Sequence, residues 1–210
     1  MTVLDPLALL AKVPVIPVLT IDSVEQAAPL ARALCDGGLP AIEVTLRTPV
    51  ALKAIKAIAG KVPEAIVGAG TLREEADVVA SIRAGARFLV TPGTTGLLAA
   101  SLADAGVPAL PGCATVSEAL ALAALGFKAL KFFPAEASGG VAWLKSVSAP
   151  LPDIRFCPTG GIDMSNAAAY LALPNVFAVG GSWVAPREAL AANDYARIAA
   201  LARNAAGLLS

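Results

Sequence analysis

Histidine is absent from all 210 residues, which removes the commonest general base near neutral pH and the commonest zinc ligand together. A Ser-His-Asp hydrolase is excluded, and a zinc enzyme is strongly disfavoured. Cysteine is scarce. Cys35, Cys113 and Cys157 are odd in number, lie far apart and form no CxxC pair. Neither a disulfide framework nor a zinc knuckle is indicated, and three small buried thiols in a reducing cytosol are expected. Charge is scarce too: 15% of the residues are charged, the formal net charge is zero, and no basic or acidic block occurs. Nucleic acid and an anionic membrane are therefore not the expected partners. The one apolar run near the start is broken by Lys12, Pro14 and Pro17, follows no basic stretch and is too short to span a bilayer. These features predict a soluble, cytoplasmic protein.

What the chain does contain is apolar residues, 57% of the total and much of that alanine. Alanine-rich helices packed on Val/Ile/Leu-rich strands give that balance, and the low charge is consistent with some apolar surface being covered by another subunit. No seam divides the sequence, so one domain over residues 1–210 is expected, large enough for a substantial core.

Short apolar runs alternate with longer amphipathic stretches throughout. Strands are predicted near residues 13–19, 41–45, 65–68, 88–91, 108–110, 129–133, 154–157 and 177–179. Helices are predicted between them, among others at 23–35, 49–59, 73–84 and 117–125, with Ser23 as an N-cap and Ser117 opening a polar first turn with Glu118. Gly37, Gly60, Gly85, Gly106 and Gly126 each stand where a helix should end in a left-handed residue. Residues 4–11 read as a short helix capping the bottom of the domain. Eight βα units point to an α/β fold of the single-domain (β/α)8 TIM-barrel type, with a doubly wound open sheet as the alternative. In a barrel, functional groups stand at the C-terminal ends of the strands and in the loops just after them.

Lys131 lies in the apolar run Ala129-Leu130-Lys131-Phe132-Phe133-Pro134. Strand alternation puts Ala129, Lys131 and Phe133 on one face and Leu130 and Phe132 on the other. An inward lysine walled by apolar side chains loses hydration, which favours the neutral amine that attacks a ketone to form an imine. Lys128, at the opposite end of the strand, reads as an ordinary solvated lysine. In residues 41–49 Ile42, Val44 and Leu46 alternate with Glu43, Thr45 and Arg47. Barrel strands have no solvated face, so the polar set points inward, where Glu43 is costly unless paired or used. Beside an amine or imine it would shuttle protons, and Arg47 would clamp a carboxylate; a purely structural Glu–Arg pair is the competing explanation.

Glycines gather after three strands: Gly68-Ala69-Gly70-Thr71, Pro158-Thr159-Gly160-Gly161 and Gly180-Gly181-Ser182. Bare backbone lets N–H groups approach an anion, and loops after the last two strands of a barrel recurrently hold phosphate. Each pair taken alone more often marks a tight turn.

Taken together, residues 41–48 (AIEVTLRT), 63–71 (PEAIVGAGT), 91–93 (TPG), 131–137 (KFFPAEA), 155–162 (RFCPTGGI) and 180–183 (GGSW) closely resemble the 2-keto-3-deoxy-6-phosphogluconate (KDPG) aldolases. Members of that family often also cleave 2-keto-4-hydroxyglutarate (KHG). The resemblance implies Lys131 as the Schiff-base lysine and Glu43 as the general acid/base. It implies Arg47 and Thr71 at the pyruvate end, with Pro92 and Phe133 shaping the same pocket. Thr159, Gly160, Gly161, Gly181 and Ser182 match the phosphate end. It further implies a cytoplasmic homotrimer free of metal or organic cofactor. Gly112-Cys113-Ala114-Thr115 departs from the glycine–isoleucine–serine–threonine usual there, a change at the pocket rim that bears on which sugar acids are accepted. KFFPAEA and PTGG favour the gluconate over the galactonate type. A metal-assisted barrel enzyme and a non-catalytic sugar-phosphate sensor are the alternatives from other classes.

Overall fold

The computed structural model describes residues 3–11 and 13–209; Lys12 lies outside them. In chain order the elements are α1 (Leu7–Leu10), β1 (Val15–Leu19), α2 (Val24–Asp36), β2 (Ala41–Thr45), α3 (Ala51–Lys61), β3 (Ile66–Gly70), α4 (Glu75–Arg83), β4 (Leu89–Val90) and α5 (Gly96–Ala103). There follow β5 (Ala109–Leu110), β6 (Gly112–Cys113), α6 (Val116–Ala124), β7 (Ala129–Phe132), α7 (Gly140–Val147), β8 (Arg155–Pro158), α8 (Ala167–Leu171), β9 (Val179–Gly181), α9 (Arg187–Ala191) and α10 (Tyr195–Ala206). All strand pairs are parallel, in the orders β5-β4-β3-β2-β1-β9 and β6-β7-β8.

The two sheets form one closed ring. β5 and β6 are halves of a single barrel position parted by Pro111: the lower half pairs with β4 and the upper with β7. Proline has no N–H to donate, but the Pro111 carbonyl accepts from the Lys131 N–H at 3.0 Å. Bridges Phe156↔Val176 and Thr159↔Gly180 join β8 to the β9 side. Eight positions thus close, as the barrel expectation required, and the open sheet is set aside.

The side-chain alternation expected for residues 129–133 holds. Phe132 points outward and stacks on Trp143 of α7 at 4.2 Å between centroids, with Phe156 edge-on to the same indole at 5.5 Å. Lys131 points into the barrel. The short α1 lies near the start of β5 and β7, where Pro6, Ala109 and residues 126–129 line one hollow.

Several local expectations are corrected. Gly68, expected to end its strand, and Gly70, expected just beyond it, both stand on the interior face of β3: a Cβ at Gly68 would lie 2.4 Å from the buried Phe88 ring and one at Gly70 2.1 Å from Glu43 Oε1. Gly180 and Gly181 likewise belong to β9, two residues further on than predicted, and the Thr159 and Trp183 side chains occupy the space beside them. Helix α6 begins earlier than Ser117: Thr115 is its N-cap and forms a reciprocal capping box with Glu118. Gly60 lies within α3, and Gly37 is right-handed with the left-handed turn passed to Gly38; Gly85, Gly106 and Gly126 are left-handed as expected. Ser23 is the N-cap of α2, although its hydroxyl donates to Glu25 rather than accepting from the helix. Among the described residues no helix is long and apolar enough to cross a membrane.

The three cysteines are free thiols; Cys113 and Cys157 are buried and Cys35 is half-buried. Burial pushes Cys157 and Cys113 up to about 12 and Cys35 up to about 11. These thiols stay protonated in the folded chain at pH values where the unfolded chain ionises, so their contribution to stability is complete below about pH 9 and is lost as pH rises towards 12. In urea titrations the stability of the wild type relative to Cys157→Ala should fall by roughly 2 kcal/mol between about pH 9 and about pH 10.5. Parallel curves for the two proteins would contradict this.

Candidate active site

At the C-terminal end of the barrel two charged side chains meet in the interior. Lys131 Nζ on β7 lies 3.1 Å from Glu43 Oε1 and 3.3 Å from Oε2 on β2, and both residues are at most 5% exposed. Two isolated charges buried this deeply would be costly, and each offsets the other's lost hydration. Two glycines lie beside the pair. Gly70 leaves the space the Glu43 carboxylate fills, and Gly112, opposite Lys131 on β6, leaves the space taken by the Pro92 carbonyl. Thr45, one turn of the pleat above Glu43, is fully buried; its hydroxyl donates to the Leu19 carbonyl at 2.8 Å and accepts from the Thr20 hydroxyl at 3.3 Å.

Around this pair the structure gathers the predicted residues in two groups. Arg47, Phe133, Thr159, Gly160, Gly161, Gly181 and Ser182 line one cleft of about 500 Å³, together with Thr20, Ile162, Trp183 and Arg187. Lys131 is not on the cleft wall but just beneath it: its Nζ lies 5.5 Å from the centre of the Phe133 ring, which is on the wall. Thr71 and Pro92 do not line this cleft. Thr71 directly follows Gly70, whose missing side chain admits Glu43, and Pro92 backs Gly112, the register partner of Lys131. Thr71 adopts φ +64°, a left-handed conformation that is an outlier for a β-branched residue and costs of order 1–3 kcal/mol. Strain of that size persists where the surroundings over-determine it.

The glycines after β8 behave as expected of a loop that exposes its amides. Gly160 and Gly161 are both left-handed, at φ +100° and +77°. Among the described residues the Gly161 N–H makes no hydrogen bond, while the Gly160 N–H faces Gly180 across the Thr159↔Gly180 bridge. Cys157 shares the interior with the ion pair, as the partner of Lys131 in the β7–β8 register. Its raised thiol marks it as wall rather than nucleophile. Lys128, at the other end of β7, is exposed as expected. Among the described residues no three His, Cys, Asp or Glu side chains lie together as a metal site would need. Trp183 and Arg187 were missed by sequence reasoning. GGSW pointed to the first, since a Cβ at Gly181 would fall 1.6 Å from the indole; nothing in the pattern singled out the second.

This arrangement suits an amine nucleophile with a proton carrier in hydrogen-bond reach, below a cleft with arginines and free amides for anionic groups. Comparison with known proteins agrees. The family model for KDPG and KHG aldolase matches residues 7–201. The KHG/KDPG aldolase of Escherichia coli (strain K12) is 48% identical over 192 residues, covering 91% of this chain and 90% of that one. The crystal structure of KDPG aldolase from Legionella pneumophila, with pyruvate captured as a covalent carbinolamine, superposes with a TM-score of 0.94 at 43% identity over 97% of this chain and 98% of that one. The Zymomonas mobilis ZM4 enzyme with 3-phosphoglycerate superposes with a TM-score of 0.89 at 43% identity over 95% and 93%. With a lysine–glutamate pair inside a closed parallel barrel and matches along nearly its whole length, the chain belongs to the KDPG and KHG aldolase family.

Proposed function

We propose that this chain is a class I aldolase that cleaves KDPG to pyruvate and glyceraldehyde 3-phosphate through an imine on Lys131, and also takes KHG to pyruvate and glyoxylate. The observation that carries the proposal is the buried Lys131–Glu43 contact of 3.1 Å at the barrel mouth.

The ammonium of Lys131 passes a proton to Glu43, and the freed amine attacks C2 of the keto acid. Attack leaves a protonated nitrogen and an alkoxide; Glu43 gives its proton to the oxygen and takes one from the nitrogen. It then protonates the departing hydroxyl, so that the carbinolamine loses water and becomes an iminium. Glu43, again a carboxylate, takes the proton of the C4 hydroxyl. The C3–C4 bonding pair moves into the iminium to give an enamine, and the aldehyde leaves. Reprotonation of C3 and hydrolysis release pyruvate and restore the amine. One carboxylate serves every proton transfer because it lies against the nitrogen throughout. Arg47 and Thr71 hold the substrate carboxylate, while Pro92 and Phe133 flank the imine. Thr159, Gly160, Gly161, Gly181 and Ser182 receive the phosphate, so that binding remote from the reacting bond orients it. The enzyme works as a cytoplasmic homotrimer without metal or organic cofactor. The family resemblance supports that assembly, and so does an apolar groove between α4 and α5, where Leu97 is 88% exposed.

Lys131→Arg keeps a cation beside Glu43 but cannot form the imine. With KDPG, in an assay coupled to pyruvate reduction, kcat should fall by about 1,000-fold or more; a variant within tenfold of wild type would remove Lys131 from the chemistry. Gly70→Ala forces the Glu43 carboxylate off the lysine. It should lower kcat by about 100-fold with KM nearly unchanged and the circular-dichroism spectrum intact. A kcat within twofold of wild type would show that the contact is dispensable.

A further inference from the structure

Beyond β8 the chain turns through Thr159, Gly160, Gly161 and Ile162, all on the cleft wall. The first three carbonyls are each tied back. Thr159 O accepts from the Ala135 N–H at 2.8 Å, Gly160 O from the Glu136 N–H at 3.1 Å, and Gly161 O from Asn166 Nδ2 at 3.0 Å. A trans peptide is planar, so the N–H of each following residue points opposite to that carbonyl; the one cis bond recorded among the described residues is Phe133-Pro134. The Gly160 N–H thus faces β9, towards Gly180 across the Thr159↔Gly180 bridge, whereas the N–H groups of Gly161 and Ile162 are turned away from Glu136 and from Asn166 and make no hydrogen bond among the described residues. Successive amides directed this way form a concave site for an anion.

One tie-back comes from the N-cap of α8, and the same helix holds Glu136, which supplies another. Asn166 and Tyr170 are four residues apart at and within α8, hence on the same side of the helix. Asn166 Oδ1 accepts from the Asp163 N–H at 2.9 Å, which fixes the amide so that Nδ2 faces the Gly161 carbonyl. The Tyr170 hydroxyl, on a fully buried side chain, donates to the Glu136 carboxylate. Glu136 in turn lies under the loop: a Cβ at Gly161 would come within 2.6 Å of its Cγ. The same contact fills the space beside Gly140, where a Cβ would meet the Tyr170 hydroxyl at 2.9 Å and Glu136 Oε1 at 3.3 Å. Without these braces, two consecutive left-handed glycines have many other conformations open to them.

We infer that Asn166, Tyr170 and Glu136 are positioning residues for the phosphate end of the substrate: α8 holds the loop so that the consecutive amides of Gly161 and Ile162 face the phosphate. The inference rests on the aldolase reading of the cleft. It separates two tasks within one substrate site, since these residues govern the anchor and leave the imine chemistry to Lys131 and Glu43.

The test combines steady-state kinetics on KDPG with borohydride trapping of pyruvate, which carries no phosphate, in Tyr170→Phe, Asn166→Ala, Glu136→Ala and Glu136→Gln. Tyr170→Phe, Asn166→Ala and Glu136→Ala should each raise KM for KDPG by about tenfold with kcat within about threefold, as expected for one loosened anchor. The same three should weaken competition by inorganic phosphate and leave the pyruvate concentration for half-maximal trapping within about twofold of wild type. Glu136→Gln, which still offers Tyr170 an acceptor, should keep a wild-type KM. Equal losses in KDPG turnover and pyruvate trapping would make the braces merely structural and overturn the inference. So would an unchanged KM for KDPG in Tyr170→Phe and Asn166→Ala. Failure of the aldolase reading is seen separately, as wild-type protein that neither turns over KDPG nor traps pyruvate.

Discussion

A carboxylate and an ammonium held together inside a barrel are the constraint to which the upper half of this structure is fitted. Removing both from water costs several kcal/mol per ion, offset only if each has the other at hydrogen-bond distance. Gly70 is small for that reason: a methyl group there would close the space that the Glu43 carboxylate fills. Further down, Gly68 admits the Phe88 ring, which fills the barrel interior with an apolar plug. The absence of histidine fits the same design, because one glutamate in contact with the nitrogen can serve each proton transfer in turn.

The second feature of the site is its division. The proposed covalent chemistry falls on two strands, β2 and β7, each paired on both sides, so that backbone pairing fixes the Cα positions of Glu43 and Lys131. The proposed anion recognition falls on the turns after β8 and β9, where the amides of Gly161 and Ile162 are unpaired among the described residues. Phe133 connects the two regions, facing the lysine and the cleft at once. Residues in the first region have strand neighbours to hold them. Those in the second need braces from outside the loop, which the segment after β7 and helix α8 supply.

Much of this was legible in the sequence because it follows from period-two alternation. That Lys131 and Glu43 face inward, and that Phe132 does not, required only the pleat and a closed sheet. The glycines were harder. A glycine that supplies conformational freedom and one that yields space to a distant side chain look alike in one dimension. By composition alone Gly70, Gly180 and Gly181 therefore fall beyond their strands. The break at Pro111 was hidden because Leu110 and Gly112 belong to one barrel position yet pair with different neighbours. Helix α8 gave no signal, since five residues rich in alanine show no period, and its contacts with Gly161 and Glu136 join segments far apart in the chain.

The claim on which the account stands is that Lys131 forms an imine with a keto acid. Borohydride reduction in the presence of pyruvate, followed by intact mass and peptide mapping, tests it most directly. A single reduced pyruvyl adduct on the peptide containing Lys131, lost in Lys131→Ala, is the predicted result. No adduct under conditions of turnover, or an adduct on the exposed Lys128 instead, would contradict it.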